Sequence, residues 1–425
     1  MQESFLHFLW QFQNFSHKNL QTTDSQSISI INAGFLNSNA GPDFLNARII
    51  INQIEWIGSV EIHLKSSDWL QHNHQQNLAY ENVILHVVWQ ADKAIHRQDG
   101  SIIPTLVLKD LTDDALIKNY NQLIENQDII PCARQFEGVD SIKKLSMLDK
   151  AIMQRLEQKA KIVHEFLEEN NQDWEEVTYR LLAKNFGFKL NAEPFLKLAE
   201  NLPLKILQKH KNNLLQLEAL MFGVAGFLEK TEIPDQYWQS LKQEFDFLKA
   251  KYQLGNKVLN LHEWKFMRLR PSNFPTVKIA QFAVLIAQES NLFSVFINLN
   301  DPKSLQKNLK ISQSKYWKEH YVFGKLSDNV PSLGKDAVQN IVINTAVPLL
   351  VAYAQNQDNQ DFIDKAIGHL ENCPAEQNHI TTIWKDLGLK ISNAFDSQAL
   401  IQQYNQFCLP KKCLNCTIGV SILRE

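Results

Sequence analysis

Hydrophobic residues follow two different periods along the chain, and the change falls near residue 110. Before that point, apolar residues alternate with polar ones or form short blocks bounded by turn residues, which is typical of β-strands. The pattern predicts strands at Ser27–Phe35, Ala47–Ile54, Ser59–Leu64, Val83–Trp89 and Ile102–Leu108.

A helix is predicted before the first strand, over Met1–Phe15, because its large apolar residues fall on one face. Asn52–Gln53 are turn-forming residues and predict a hairpin between the second block and Trp56. A second helical or irregular piece is expected between Ser66 and Glu81. The predicted order is helix, strand, hairpin, strand, helix, strand, which indicates a mixed-sheet module over residues 1–110.

After residue 110 the apolar residues recur at helical spacing. Helices are predicted at Lys143–Glu169, Asp173–Phe186, Pro194–Asn201, Lys211–Phe227, Pro234–Tyr252, Val277–Glu289, Asp336–Ala354 and Ser397–Phe407. The chain is therefore expected to belong to the α+β or α/β class. A larger, mainly α-helical region over residues 111–425 follows the first module and ends in a cysteine-rich motif at 408–419.

The composition is that of a folded chain, and the first module is unusually rich in acidic residues and histidines. Of 425 residues, 44% are hydrophobic and 21% are charged, which excludes disorder as the dominant state. Residues 1–110 hold 6 Lys+Arg and 10 Asp+Glu, against 37 and 36 in the rest, and they contain seven of the 13 histidines. An acidic, histidine-rich module points to a bound metal more than to lysines that hold a phosphate backbone.

The sequence predicts a cytoplasmic protein without a membrane partner. Residues 1–20 lack the basic start and apolar run of a secretory signal. The longest apolar run, Ile341–Ala354, contains Asn344 and Pro348 and is too short to span a bilayer as a helix.

Four ionisable residues form the first candidate site. The turn Gly41–Pro42 places Asp43 at the beginning of a strand. Glu61, His63 and Lys65 share one face of the next strand, because side chains alternate along it. Carboxylates suit Mg²⁺ or Mn²⁺, imidazole suits a softer ion, and lysine stabilises charge that develops on a phosphate. All four are candidate catalytic residues, and Asp43 and Glu61 are candidate metal ligands.

The stretch from Pro42 to Lys65 resembles the PD-(D/E)XK nuclease superfamily, and the resemblance covers the first 110 residues. Pro42-Asp43 looks like the Pro-Asp of that superfamily, and Glu61 looks like its second acid. The resemblance implies that both acids bind a metal and that a lysine two residues after the second acid prepares the attacking water. His63 occupies that lysine position. Three interpretations therefore stay open: His63 takes the lysine's role, Lys65 reaches back, or the site has lost nuclease activity.

The whole chain also resembles a bacterial family of unknown function, DUF2851, whose name implies no activity. The residues that carry this resemblance are Gly41–Asp43, Val60–His63, Ser67–Trp69, His72–His74 and Val83–His86.

Three further histidines lie near the acids in sequence. His72 and His74 would point the same way in an extended chain. His86 lies inside an apolar strand, where it is either a hydrogen-bonded core residue or part of a site. His74 and His86 are added to the candidate metal ligands of the first module.

Structural roles are the alternative for several of these residues. Asp43 could close a turn, and Glu61 with Lys65 could form an exposed ion pair of little energetic value. Asp68 could be the N-cap of a short helix.

The cysteine-rich motif forms a second candidate metal site. Cys408, Cys413 and Cys416 have the spacing C-x4-C-x2-C, in which the two-residue gap lets two thiolates bind one ion. Cys373 is the first candidate for the fourth ligand and Cys132 the second, and His369 and His379 are further options. Zinc or an iron–sulfur cluster could occupy such a site. Three ordinary buried cysteines in a C-terminal turn are the alternative.

Arg268 and Arg270 lie among aromatic residues and could contact a nucleic acid, although a structural role that pairs them with carboxylates is the favoured interpretation. Three functions follow from the sequence. The first is a metal-dependent nuclease that acts on DNA or RNA. The second is an inactive nuclease-fold protein that binds or acts as a scaffold. The third is a histidine-metal hydrolase of small substrates.

Overall fold

The computed structural model describes residues 1–229, 234–301 and 311–424, and it has the mixed α+β architecture that the sequence predicts. The chain divides into two compact units, Met1–Leu148 with Gln403–Glu425, and Asp149–Gln402. We expected the division at residue 110. The first unit extends further because a helix after the sheet and the C-terminal segment both pack with the mixed-sheet module.

The first unit is built on a six-stranded mixed sheet. Its strands are β1 (Ile28–Asn32), β2 (Phe35–Leu36), β3 (Phe44–Ile51), β4 (Ile54–Lys65), β5 (Val83–Gln90) and β6 (Thr105–Val107). The order is β1-β3-β4-β5-β6, with β2 paired to β3. Strands β1, β3 and β4 run antiparallel, whereas β4, β5 and β6 run parallel. Each predicted strand segment overlaps at least one of these strands, with shifted ends.

The predicted hairpin is present between β3 and β4. Asn52 and Gln53 have φ angles of 49° and 67°, so both turn residues are left-handed. A two-residue turn of this kind matches the twist of the strands that it joins. It fixes the register of β4 against β3, with Ile51 opposite Ile54.

Strand β4 is the central strand that carries the candidate residues. It pairs with β3 on one edge and with β5 on the other. Helix α1 (Glu3–Phe12) and the short helix α2 (Asp68–Gln71) both contact it. As a result Glu61 and His63 are buried, as are their apolar neighbours Val60 and Ile62. Polar side chains buried in this way need partners.

The remaining helices of the first unit are α3 (Asp114–Glu125) and α17 (Thr417–Arg424), and the chain passes between the units within α4 (Ser141–Glu169) and α16 (Ala394–Gln403). The second unit contains α5 (Trp174–Phe186), α6 (Ala192–Asn201), α7 (Leu204–Gln208), α8 (Leu214–Val224), α9 (Gln236–Lys251), α10 (Pro275–Gln288), α11 (Leu292–Ile297), α12 (Lys335–Ile341), α13 (Val347–Gln357), α14 (Asp361–Asn372) and α15 (His379–Asp386). A small hairpin, β7 (His320–Val322) and β8 (Lys325–Leu326), accompanies them. The predicted helical segments are present with shifted ends, and α3, α7, α11, α14, α15 and α17 are additional.

The apolar run that the sequence judged too short for a membrane is part of a longer helix. One turn of π-helix, Val342–Ala346, joins α12 to α13, so the helical run is Lys335–Gln357. Pro348 cannot donate a hydrogen bond to the Asn344 carbonyl, which instead accepts one from Asn185 Nδ2 at 2.7 Å. The helix therefore continues through both interruptions.

Among the described residues, this run alone is long and apolar enough to cross a membrane, judged by length and composition. Its most apolar window is 78% buried inside the protein, as the core helix of a folded unit would be.

Candidate metal centre

Two backbone hydrogen bonds bring the carboxylates of Asp43 and Glu61 together. The Asp43 amide donates to Glu61 Oε2 at 3.1 Å, and the Ile62 amide donates to Asp43 Oδ2 at 2.9 Å. Strand β3 bulges immediately after Asp43, between Phe44 and Ala47, and Asn46 is left-handed there with a φ of 57°. Bulges commonly redirect a side chain next to a functional site. The pairing that the sequence predicts between these two acids is present in the structure.

His63 is the centre of a histidine cluster. Its Nδ1 lies 2.9 Å from His86 Nε2, and its Nε2 lies 3.1 Å from His72 Nδ1. The parallel register of β4 and β5 places Glu61 beside His86, so these side chains share one face of the sheet. His63 and His86 are both buried.

His72 and His74 reach this face from the segment after α2. The sequence predicts a helical or irregular piece here, and the chain is not extended: Asn73 between them is left-handed with a φ of 59°, and His74 begins a short 3-10 turn. Both rings still approach His63, with ring centroids at 5.0 Å for His72 and 5.3 Å for His74. One ligand nitrogen from each of His63, His72 and His74 lies within 4.8 Å of the others, which is the spacing that one ion requires.

Glu61 joins the histidines to the other acid. Glu61 Oε1 lies 3.2 Å from His74 Nε2 and 3.6 Å from His63 Nε2. Its second oxygen, Oε2, faces the Asp43 amide. Only 4% of Glu61 is exposed, so the alternative of an exposed ion pair with Lys65 is wrong.

Helix α1 adds two residues that the sequence analysis missed. Glu3 and His7 lie one turn apart on α1, and together with Asp43 they form a second group whose ligand atoms lie within 4.8 Å. His7 Nε2 is 3.3 Å from Asp43 Oδ2. The i, i+4 spacing of Glu3 and His7 on the predicted helix was the available signal.

Burial sets the protonation states of the bare site. It raises the pKa of Glu61 to about 9, with a further contribution from the Asp43 carboxylate. Burial lowers the pKa of His63 to about 2, of His86 to about 3 and of His74 to about 4. At neutral pH these three imidazoles are neutral, which is the form that binds metals, and Glu61 carries a proton that a cation would displace.

The donor set fits a transition-metal ion. Three imidazole nitrogens of this centre are buried without a hydrogen-bond partner among the described residues, namely His7 Nε2, His74 Nε2 and His86 Nδ1. Two of them face a carboxylate oxygen at 3.2–3.3 Å without hydrogen-bond geometry. Several imidazoles beside carboxylates suit Mn²⁺, Fe²⁺ or Zn²⁺ better than Mg²⁺, which prefers oxygen ligands and bound water.

Lys65 and Asp68 lie at the edge of this region. Lys65 is exposed at the end of β4, and its backbone amide donates to Asp68 Oδ2 at 2.9 Å. Asp68 is the first residue of α2, and Ser67 occupies the N-cap position that was expected for Asp68. No contact between the Lys65 side chain and the acids or histidines is present among the described residues.

The other predicted site residues lie outside this centre. Arg268 and Arg270 are exposed in the second unit, and no carboxylate of the described chain lies within ion-pair distance of either guanidinium. Cys408, Cys413 and Cys416 are buried in the first unit. Cys373 belongs to the second unit, where the nearby Asp301 contributes to raising its pKa.

Comparison with known proteins identifies the family. A family model described as "Protein of unknown function (DUF2851)" matches residues 3–379. The chain belongs to this family. No curated protein and no solved structure matches it. Membership of DUF2851 therefore carries no activity with it.

A cavity of about 500 Å³ lies in the second unit, at residues that the sequence analysis did not single out. Glu218 on α8 is 1% exposed at its wall and accepts a hydrogen bond from the Tyr237 hydroxyl. Tyr316 stacks between Tyr237 and His320, with ring centroids at 4.1 Å and 3.9 Å. Burial raises the pKa of Glu218 to about 7.

Glu218 should make the stability of the second unit depend on pH. Because folding raises the pKa of Glu218 from 4.5, its contribution to stability is full below about pH 4.5 and is lost as the pH rises through about 7. Glu218→Gln should therefore be more stable than the wild type at pH 8.5, by up to about 3 kcal/mol, and similar at pH 4.5. Urea unfolding at both pH values measures this. Glu319→Gln, an exposed position on the same cavity wall, is the control, and equal stability of Glu218→Gln and wild type at pH 8.5 would contradict the assignment.

Proposed function

We propose that the first unit is a metal-dependent hydrolase of phosphodiester bonds, that is, a nuclease acting on DNA or RNA. The observation that carries this proposal is the convergence of Asp43 and Glu61 with His63, His72 and His74 on one face of the sheet. Carboxylates and neutral imidazoles that meet at one point are the donor set of a hydrolytic metal site.

The topology of the first unit supports the proposal. The chain runs through α1, the antiparallel strands β1, β3 and β4, the short helix α2 and the parallel strand β5. This is the order of elements that the resemblance to PD-(D/E)XK nucleases implies, with Asp43 before the second of these strands and Glu61 within the third. A restriction-endonuclease-like fold for this unit is part of the proposal.

Each residue has a distinct role in this proposal. Glu61, His63, His72 and His74 hold the ion, which when bound would polarise a phosphoryl oxygen and acidify a water molecule. His86 contacts His63 Nδ1 and so directs His63 Nε2 toward the site. His7, whose Nε2 is 3.3 Å from Asp43 Oδ2, is placed to hold or move a proton beside that carboxylate.

Residue 63, which corresponds to the lysine of the superfamily, has a different role in this proposal. His63 lies at the centre of the cluster and is 1% exposed, so we propose that it is a metal ligand. Lys65 is exposed at the end of its strand, which does not favour a reach back to the acids. Of the two ions first considered, Mn²⁺ suits this imidazole-rich set better than Mg²⁺.

Metal analysis followed by a substrate panel tests the proposal. We expect the purified protein to retain about one Mn²⁺, Fe²⁺ or Zn²⁺ per chain at the histidine centre. It should cleave single- or double-stranded DNA or RNA when Mn²⁺ is supplied and stop when EDTA is added. Protein that binds the ion but cleaves no nucleic acid would favour the inactive binding or scaffold function. Absence of both binding and cleavage would reject the proposal.

A hydrolase of small substrates is the second candidate. The 6 Lys+Arg against 10 Asp+Glu in residues 1–110 favour it, because a long nucleic acid is usually bound by a basic surface. Faster metal-dependent hydrolysis of a small phosphodiester, such as bis(p-nitrophenyl) phosphate, than of any DNA or RNA would support this candidate over the nuclease.

A further inference from the structure

Four of the five cysteines belong to the first unit. Cys132, Cys408, Cys413 and Cys416 come from two segments far apart in the sequence, and each is 6–7% exposed. All are present as thiols and not as disulfides in the described structure. Cysteine makes up only five of 425 residues, so their collection in one unit calls for a physical reason.

Hydrogen bonds hold the two cysteine-bearing segments together. Lys411 lies between Cys408 and Cys413, and its Nζ donates to the carbonyls of Ile124 at 2.6 Å and Asn126 at 2.9 Å. Asn126 Nδ2 in turn donates to the carbonyl of Pro131, the residue before Cys132, at 2.7 Å. The C-terminal motif is thus fixed against the turn that carries the fourth cysteine.

The backbone around the motif is closely packed. A Cβ atom on Gly419 would lie 2.3 Å from the Cys413 carbonyl oxygen, so only glycine lets α17 approach the Cys413 turn. Cys416 immediately precedes α17, and its carbonyl accepts a hydrogen bond from the Val420 amide.

The four thiols also influence one another. Burial raises the pKa of Cys132 and of Cys413 to about 12, and ionisation of Cys416 would raise both further. Burial and the neighbouring cysteines Cys416, Cys132 and Cys413 raise the pKa of Cys408 well above its usual range. The pKa of these thiols therefore depends on their neighbours in the set, which indicates that the four cysteines lie in one region of the first unit.

The arrangement of the cysteine sulfurs distinguishes between the two candidate occupants of this site, a zinc ion and an iron–sulfur cluster. Among the described residues, no three cysteine sulfurs lie within 4.8 Å of one another. Four thiolates on one zinc ion have sulfurs about 3.8 Å apart, given a Zn–S bond of about 2.3 Å. In an iron–sulfur cluster the four thiolates are divided among two or more iron atoms, so three sulfurs need not converge on one point, and C-x4-C-x2-C with a fourth, distant cysteine is a known spacing for a two-iron cluster.

We propose that Cys132, Cys408, Cys413 and Cys416 bind an iron–sulfur cluster, with Cys132 as the fourth ligand. The cluster would fasten the C-terminal segment to the turn at residue 132 within the first unit. Its proposed ligands are separate from the histidine centre, so it does not depend on the proposed nuclease function.

Anaerobic purification of the full chain tests this site. We expect visible charge-transfer absorption, with iron and acid-labile sulfide in stoichiometric amounts. Cys132→Ser should lose most of the iron, the sulfide and the absorption, whereas Cys373→Ser, the matched control in the second unit, should retain them. Stoichiometric zinc instead of iron and sulfide would overturn the cluster. So would a cluster lost in Cys373→Ser and kept in Cys132→Ser, or no cluster after reconstitution with iron and sulfide.

A second measurement covers the case in which Cys132→Ser does not fold. In wild-type protein, alkylation of thiols is followed by mass spectrometry before and after removal of iron. Cys132, Cys408, Cys413 and Cys416 should become reactive together when iron is removed, while the reactivity of Cys373 should not change. Reactivity of Cys132 that is independent of iron would reject its assignment as a ligand.

Discussion

Glu61→Gln is expected to abolish retention of the metal ion and to lower phosphodiester cleavage by at least about 1000-fold. The glutamine keeps the shape of the side chain and can still accept the hydrogen bond from the Asp43 amide. It cannot supply the anionic oxygen that faces His63 and His74. Isothermal titration with Mn²⁺ and cleavage assays of the same preparation measure the two effects.

The same variant distinguishes loss of metal binding from destabilisation of the folded protein. Burial raises the pKa of Glu61 to about 9, so the metal-free protein carries this residue in its neutral form at pH 7. In EDTA, Glu61→Gln should therefore unfold at a temperature close to that of the wild type. Mn²⁺ should raise the unfolding temperature of the wild type but not that of the variant. Glu55→Gln is the control, because Glu55 is an exposed residue of the same strand. Unchanged Mn²⁺ affinity in Glu61→Gln would refute the ligand role.

Replacing His63 with the lysine of the superfamily is expected to weaken Mn²⁺ binding by more than about 100-fold and to abolish most of the nuclease activity. His63 is 1% exposed, and its two ring nitrogens contact His86 and His72. A lysine would leave both neighbours without their partner, at a cost of about 1–3 kcal/mol for each buried polar group. Titration calorimetry and thermal unfolding of His63→Lys measure these effects.

His96→Lys serves as the control for this substitution, since it makes the same change at an exposed histidine of the first unit. Its Mn²⁺ affinity and unfolding temperature should match those of the wild type. If His63→Lys instead cleaves nucleic acid as fast as the wild type or faster, position 63 has the water-activating role of the superfamily lysine and is not a required ligand.

Local patterns in the sequence predict much of the fold around the site. The alternation of apolar and polar residues locates the strands, because a strand with a buried face has a period of two. The same alternation places Glu61 and His63 on one face, and Asn52–Gln53 locates the hairpin that sets the register of β4. These features depend on residues that are neighbours along the chain, and the structure agrees with each of them.

The local sequence pattern does not predict which polar residues of β4 are buried. An alternating strand predicts that one face is apolar and the other exposed, and this allowed Glu61 and Lys65 to be seen as a surface pair. Strand β4 is central and covered on both faces, so Glu61 is buried while Lys65 at the strand end is exposed. The large pKa shifts of Glu61 and His63 follow from this tertiary burial and have no signature in the sequence.

Local sequence patterns identify the residue types of the two candidate metal sites and the strand that carries Glu61 and His63. The distant residues that complete each site are evident only from the folded chain. Packing of α1 on the sheet brings His7 to Asp43, and the left-handed turn at Asn73 lets both neighbouring histidines reach His63. Hydrogen bonds between distant segments group Cys132, rather than Cys373, with the C-terminal cysteines. Periodicity reports only near neighbours along the chain, whereas a metal site is assembled from residues that become neighbours when the chain folds.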